Sequence, residues 1–208
     1  HQLILTHYLH HMYSNVRRNQ SKRQRAQKPT SLMSANLMAK ISILGAGSYG
    51  TALAICFARN GHQTLLWGRD SEHVEQMATS RSNHKYLPDS DFPPSLKLET
   101  DIEKAVAASD NILLVVPSHA FAQTLTAIKP YMRNGARLIW ASKGFEPKTG
   151  RLLHQVAEEI LGESCAMATI TGPTFALEVA KGMPTALTVA SNDQAFANDI
   201  AARLHSET

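Results

Sequence analysis

The chain has 208 residues, 43% of them hydrophobic and 18% charged, with 21 basic against 17 acidic side chains and a net charge of +4. That length supports one large domain or two small ones, and no apolar run approaches the ~20 residues a membrane-spanning helix needs. Two cysteines, Cys56 and Cys165, sit far apart and outside any CxxC pair, which excludes a disulfide scaffold and points to a reducing, cytoplasmic setting.

The positive excess is local. Residues 1–40 hold seven of the basic residues (Arg17, Arg18, Lys22, Arg23, Arg25, Lys28 and Lys40) and no acid, leaving 14 basic against 17 acidic residues in the remainder. The high pI therefore belongs to the leader, and the folded part shows no electrostatic case for nucleic acid. Residues 1–39 pattern with no core element and read as disordered or as translated upstream sequence, with a natural start near Met33 or Met38. An Arg-rich, acid-free organellar transit peptide and a basic arm for polyanions are the competing readings.

From Lys40 onward strands and helices alternate. Ile41–Leu44 is an apolar strand that runs directly into Gly45-Ala46-Gly47-Ser48-Tyr49-Gly50 and then a helix over Tyr49–Arg59, closed by Asn60-Gly61. Glycines at 45, 47 and 50 suit a tight turn, a close backbone approach to a pyrophosphate and close strand–helix packing. The helix N-terminus offers unpaired N–H groups to the phosphates. Cys56 falls among apolar residues of that helix and reads as a buried thiol.

A second strand, Gln63–Trp67, precedes a helix over Glu72–Thr79, a Pro-rich loop at 88–94 and a short strand at Leu96–Leu98. Then follow a helix at Asp101–Ala108, a strand at Asn111–Val116 ended by Pro117, and a helix at His119–Ile128. A strand at Arg137–Ala141, a helix at Thr149–Leu161, a strand at Ala166–Ile170 and a helix at Gln194–Leu204 complete the pattern. Continuous apolar strands alternating with helices predict a Rossmann-type doubly wound α/β fold with a mostly parallel sheet, spanning residues 40–208. Such sheets bind ligands at the C-terminal ends of their strands.

The candidate residues fall just there. At the end of the second strand, where an NAD-specific site carries an acid, stand Trp67 and Gly68, and Arg69 follows. An arginine there pairs with a 2′-phosphate, which favours NADP over NAD; the plain alternative is a solvated loop residue. Asp70 keeps NAD open but suits a helix cap with Ser71. His119 is either a general acid or base or an ordinary residue at a helix start. Lys143, in Ser142-Lys143-Gly144 after a strand, suits a phosphate or a polarised substrate oxygen. In Thr171-Gly172-Pro173-Thr174-Phe175-Ala176, Gly172 allows close approach, Pro173 suits the first helical position and Thr174 adds a hydroxyl; the bland reading is an ordinary strand-to-helix turn.

The segments ISILGAGSYGTALA, LLWGRD, NILLVVPSHAF, ASKGFE and TGPTFALEVAKGMPT, in this order, resemble bacterial-type NAD(P)-dependent sn-glycerol-3-phosphate dehydrogenase from about residue 40 onward. The resemblance implies cofactor contacts at Ser48, Tyr49, Arg69 and Ala176, with Gly45, Gly47 and Gly50 forming the turn. It places Lys143 against both cofactor and substrate, and Gly172 and Thr174 against sn-glycerol 3-phosphate or dihydroxyacetone phosphate. The implied reaction is hydride transfer with NADP or NAD, feeding glycerophospholipid synthesis. In that family an all-helical domain follows, carrying a proton-accepting lysine and an Arg-Asn pair for the substrate phosphate. The helical domain is expected beyond Thr208, so little turnover is expected of this chain and no catalytic residue is assigned within it. Lys181, inside the last motif, is not that lysine. No metal site is expected, and a homodimer of the full-length parent stays open. Two rival classes remain at this level: an S-adenosylmethionine methyltransferase, and a non-enzymatic dinucleotide-binding sensor.

Overall fold

A computed structural model describes residues 40–205, so the leader reading for 1–39 lies outside the described residues. In chain order the elements are β1 (Ile41–Leu44), α1 (Ser48–Arg59), β2 (Thr64–Trp67), α2 (Ser71–Ser80), β3 (Ser82–Asn83), β4 (Leu87–Asp91), β5 (Leu96–Glu99), α3 (Ile102–Ala107) and β6 (Asn111–Leu114). They continue with α4 (Ser118–Ile128), a 3-10 turn (Lys129–Tyr131), β7 (Arg137–Trp140), α5 (Leu153–Leu161), β8 (Met167–Thr171), α6 (Ala176–Lys181), β9 (Thr188–Ser191) and α7 (Gln194–Leu204).

Seven strands form one sheet in the order β5-β2-β1-β6-β7-β8-β9, all pairs parallel except β8–β9. The order reverses between β1 and β6, which is the switch point where open α/β sheets bind ligands. The central strands are largely apolar because both faces are covered, with Ser42, Asn111 and Thr169 the buried polar exceptions in β1, β6 and β8. Ile41, Ile43, Leu113, Ile139, Ala168 and Ile170 join one core with Leu53 and Phe57 of α1, Met77 of α2 and Ile200 of α7. Their alternate neighbours Leu44, Ile112, Leu114, Leu138, Trp140 and Met167 join a second core with Val106, Phe121, Leu125 and Val156 from α3, α4 and α5. Side chains that alternate across a strand thus fill two separate cores.

Four local expectations are corrected. The Pro-rich loop at 88–94 contains most of β4, which pairs antiparallel with β3. Pro88 fits because a two-stranded ribbon leaves N–H groups unpaired. The strand expected to reach Val116 stops at Leu114, and the helix expected from Thr149 starts at Leu153. The Glu146 carboxylate holds residues 146–149 in a turn instead, accepting the N–H of Lys148 (3.1 Å) and of Thr149 (2.7 Å) and the Thr149 hydroxyl. Finally, the Gly172-Pro173-Thr174 stretch is not yet helical: α6 begins at Ala176 with Phe175 as its cap, so Pro173 is not a first helical residue. β9 was not anticipated either. Thr188-Val189-Ala190-Ser191 is a short edge strand with little apolar signal.

Candidate dinucleotide and phosphate site

The glycine turn lies at the C-terminal end of β1. Gly45 has φ +129°, and a Cβ there would stand 2.2 Å from the Val115 carbonyl oxygen just after the neighbouring strand β6. A Cβ on Gly50 would stand 1.8 Å from the Gly45 carbonyl oxygen, so the turn and α1 pack with no room for a side chain. Gly47 differs: nothing lies within 4 Å of where its Cβ would be. No internal packing explains a glycine at this position, and the open space would admit a phosphate at the helix end.

Gly47 caps α1 without a side chain, and the first intrahelical bond runs from the Thr51 N–H to the Gly47 carbonyl (2.9 Å). The N–H groups of Ser48, Tyr49 and Gly50 therefore have no partner within the helix. With twelve residues in α1 and no acid in its first turn, the open helix end suits an anion.

The structure brings three of the expected segments together here. Tyr49, in the first turn of α1, has its hydroxyl 3.2 Å from the Thr174 hydroxyl. The Lys143 ammonium lies 5.6 Å from the centre of the Tyr49 ring, a cation–π arrangement. Lys143 follows β7, Thr174 follows β8, and both reach across the sheet end to the α1 side. Gly172 makes a close approach too: a Cβ there would stand 2.4 Å from the Ala186 carbonyl oxygen. Ala176 opens α6, whose end is tied to α1 by the Arg59 guanidinium, donating to the carbonyls of Ala180 (2.7 Å) and Val179 (3.2 Å). Glu178 caps its own helix by accepting the Phe175 N–H at 3.2 Å.

Arg69 stands apart from that trio, beyond the end of β2. The Trp67 carbonyl accepts the Gly45 N–H at 2.9 Å, and a Cβ on Gly68 would lie 3.0 Å from the Ala46 Cβ, so the two turns are in contact. Arg69 itself is exposed and makes no hydrogen bond or ion pair with the described residues. Asp70 caps α2 by accepting the His73 N–H at 3.2 Å, as its position suggested. His119 is exposed in the first turn of α4, with no hydrogen-bond partner among the described residues.

One group was missed. Asn83, at 0% exposure, is hydrogen-bonded to the Ala46 carbonyl inside the glycine turn (3.1 Å) and to the Thr51 hydroxyl (2.8 Å). The Ser48 hydroxyl donates to the Tyr86 carbonyl, a second tie between the turn and the β3–β4 hairpin. No spacing rule marks an asparagine 38 residues past a glycine turn. A depression lined by Cys56, Arg59, Val179, Met183, Leu204 and His205 sits at the far end of α1, and no candidate residue lines it. Among the described residues no cluster of His, Cys, Asp or Glu could hold a metal ion, and no helix is long and apolar enough to cross a membrane.

The family model for the NAD-dependent glycerol-3-phosphate dehydrogenase N-terminus matches residues 40–197. The chain belongs to this family. It is 56% identical over 172 residues to the glycerol-3-phosphate dehydrogenase (NAD(P)+) of Colwellia psychrerythraea, covering 83% of this chain and 52% of that relative. It is 56% identical over 167 residues to the enzyme of the same name from Escherichia coli, covering 80% and 49%. The crystal structure of the Coxiella burnetii glycerol-3-phosphate dehydrogenase superposes with a TM-score of 0.78 at 43% identity, covering 82% of this chain and 52% of that one. The chain thus spans about half the length of these relatives. Membership in this family removes the methyltransferase alternative, and nothing found supports the sensor.

Proposed function

We propose that this chain is the dinucleotide-binding part of an oxidoreductase that interconverts sn-glycerol 3-phosphate and dihydroxyacetone phosphate, with NADP(H) preferred and NAD(H) the alternative. One observation carries the reading: Tyr49 of the α1 first turn is joined to Thr174 and lies under the Lys143 ammonium, so the open helix end and the two substrate-side loops form one site.

The residues present fit a dinucleotide. Gly47 leaves an unfilled space at a helix end with unclaimed N–H groups, and Arg69, just past β2, has no partner among the described residues, with the adjacent acid already used as a cap. The pyrophosphate would lie on the N–H groups of Ser48 and Tyr49, the adenosine 2′-phosphate on Arg69, and Ala176 would close the nicotinamide side. The nicotinamide supplies the hydride when bound. Lys143 would hold the substrate oxygen or phosphate by charge, while the Gly172 backbone, packed against the Ala186 carbonyl, would border the substrate and Thr174 would orient its hydroxyl. The proton-transfer group is assigned to sequence outside this domain. A cytoplasmic setting and a homodimer of the parent belong to the same proposal.

Thermal shift of the chain with NADPH, NADH and S-adenosylmethionine tests the reading. NADPH should raise the melting temperature most, and S-adenosylmethionine should not raise it. A chain unmoved by either nicotinamide nucleotide would sink the proposal. NADPH oxidation by the isolated chain on adding dihydroxyacetone phosphate would sink the outside assignment of the proton step.

A further inference from the structure

We infer that Asn83 is a positioning residue that aims the glycine turn at the pyrophosphate; this rests on the dinucleotide reading above. Its carboxamide has two N–H donors and two acceptor lone pairs, and all are engaged. Nδ2 donates to the Ala46 carbonyl (3.1 Å) and the Thr51 hydroxyl (2.8 Å). Oδ1 accepts the Tyr86 N–H (3.2 Å) and lies 3.1 Å from His73 Nε2, which then carries the ring proton. The orientation is not interchangeable, because a flipped amide would set its oxygen against the Ala46 carbonyl oxygen.

The consequence falls on the next peptide. In a trans peptide the C=O and N–H point in opposite directions, and no described peptide bond is cis. Holding the Ala46 carbonyl toward buried Asn83 therefore turns the Gly47 N–H outward, at the exposed residue where a Cβ would meet nothing within 4 Å. The inward-facing groups of the turn are satisfied by protein: the Gly45 N–H by Trp67 and the Ala46 C=O by Asn83. The outward ones are left for the ligand. The β3–β4 hairpin, which interrupts the regular strand–helix alternation, delivers this asparagine to the turn.

An Asn83→Asp variant keeps the shape and the two accepting contacts but sets a carboxylate oxygen against the Ala46 carbonyl. Thr51→Val keeps the core filled and removes one of the two Nδ2 acceptors. Both are made in the full 208-residue chain, checked for folding by circular dichroism, and titrated with NADPH and with adenosine 2′-monophosphate, which lacks the pyrophosphate. NADPH should weaken about tenfold in Asn83→Asp and about threefold in Thr51→Val, while adenosine 2′-monophosphate changes less than about twofold. Loss of both ligands in equal measure, or of neither, overturns the inference; if Asn83→Asp does not fold, Thr51→Val decides by the same criterion. A parent chain that binds neither NADPH nor NADH sinks the cofactor reading itself, whereas a parent that binds while its variants bind equally well sinks this inference alone.

Discussion

The Tyr49 hydroxyl meets the Thr174 hydroxyl at 3.2 Å although 125 positions separate them in the chain. This contact joins the first crossover helix to the loop after β8. A hydrogen bond between two neutral hydroxyls contributes about 1 kcal/mol. In a double-mutant cycle of Tyr49→Phe and Thr174→Val, the coupling energy in thermal or urea unfolding should be about that size. Additive single effects would show that the two hydroxyls act independently.

Arg69 should decide between the two nicotinamide nucleotides. It is exposed, has no protein partner among the described residues, and follows the strand whose end touches the glycine turn. Hydrogen bonds to charged groups are worth about 1.5–3 kcal/mol, so Arg69→Gln should weaken NADPH by about ten- to a hundredfold. NADH affinity should change little. Equal loss of both nucleotides would show that Arg69 does not read the 2′-phosphate.

The three glycines should fail in different ways. Gly50→Ala puts a methyl 1.8 Å from the Gly45 carbonyl oxygen, and Gly45→Ala adds one 2.2 Å from the Val115 carbonyl oxygen at φ +129°. Both contacts are with backbone, so both variants should lose about 3 kcal/mol or more of stability, read as a lowered urea midpoint. Gly47→Ala meets no protein atom and should stay within about 1 kcal/mol of the parent while losing nucleotide binding. A stable Gly47→Ala chain with unchanged NADPH affinity would show that the phosphate does not lie there.

Glu146 should make the Lys143 loop sensitive to acid. Its carboxylate accepts the Thr149 hydroxyl and the N–H groups of Lys148 and Thr149, which together hold its pKa below the usual carboxylate value against the effect of burial. A carboxyl with a lowered folded pKa contributes its stability above the unfolded pKa of about 4.3 and loses it as pH falls through the folded value. Unfolding monitored from pH 6 to pH 3 should therefore show a steeper acid loss in the parent than in Glu146→Gln. Parallel curves would remove Glu146 as the cause.

Short continuous apolar runs are enough to locate the parallel core, and the predicted helix at Gln194–Leu204 matches α7 residue for residue. Strong local signals explain this: a strand buried on both faces is apolar at most of its positions on both, and an N-cap such as Asp193 announces a helix. β9 and the β3–β4 hairpin carry no such signal. Most of their residues are small, polar or proline, with Leu87 and Val189 too isolated to mark a strand, and their geometry follows from pairing with a neighbour. The start of α6 was misplaced because Pro173 is allowed at a first helical position but equally in extended chain, and only the Glu178 bond to the Phe175 N–H decides.

The same division runs through the site. By itself the sequence determined the glycine turn, the arginine after β2, the lysine after β7 and the Gly-Pro-Thr loop after β8, because each is a residue type whose chemistry is tied to a place just past a strand. Tertiary structure alone decided that Tyr49 links Lys143 to Thr174 and that buried Asn83 orients the Ala46 carbonyl. Those are contacts of side-chain hydroxyls, an ammonium and an amide, whose partners are set by where the sheet order and the hairpin bring the chain back, and local sequence holds no record of that return.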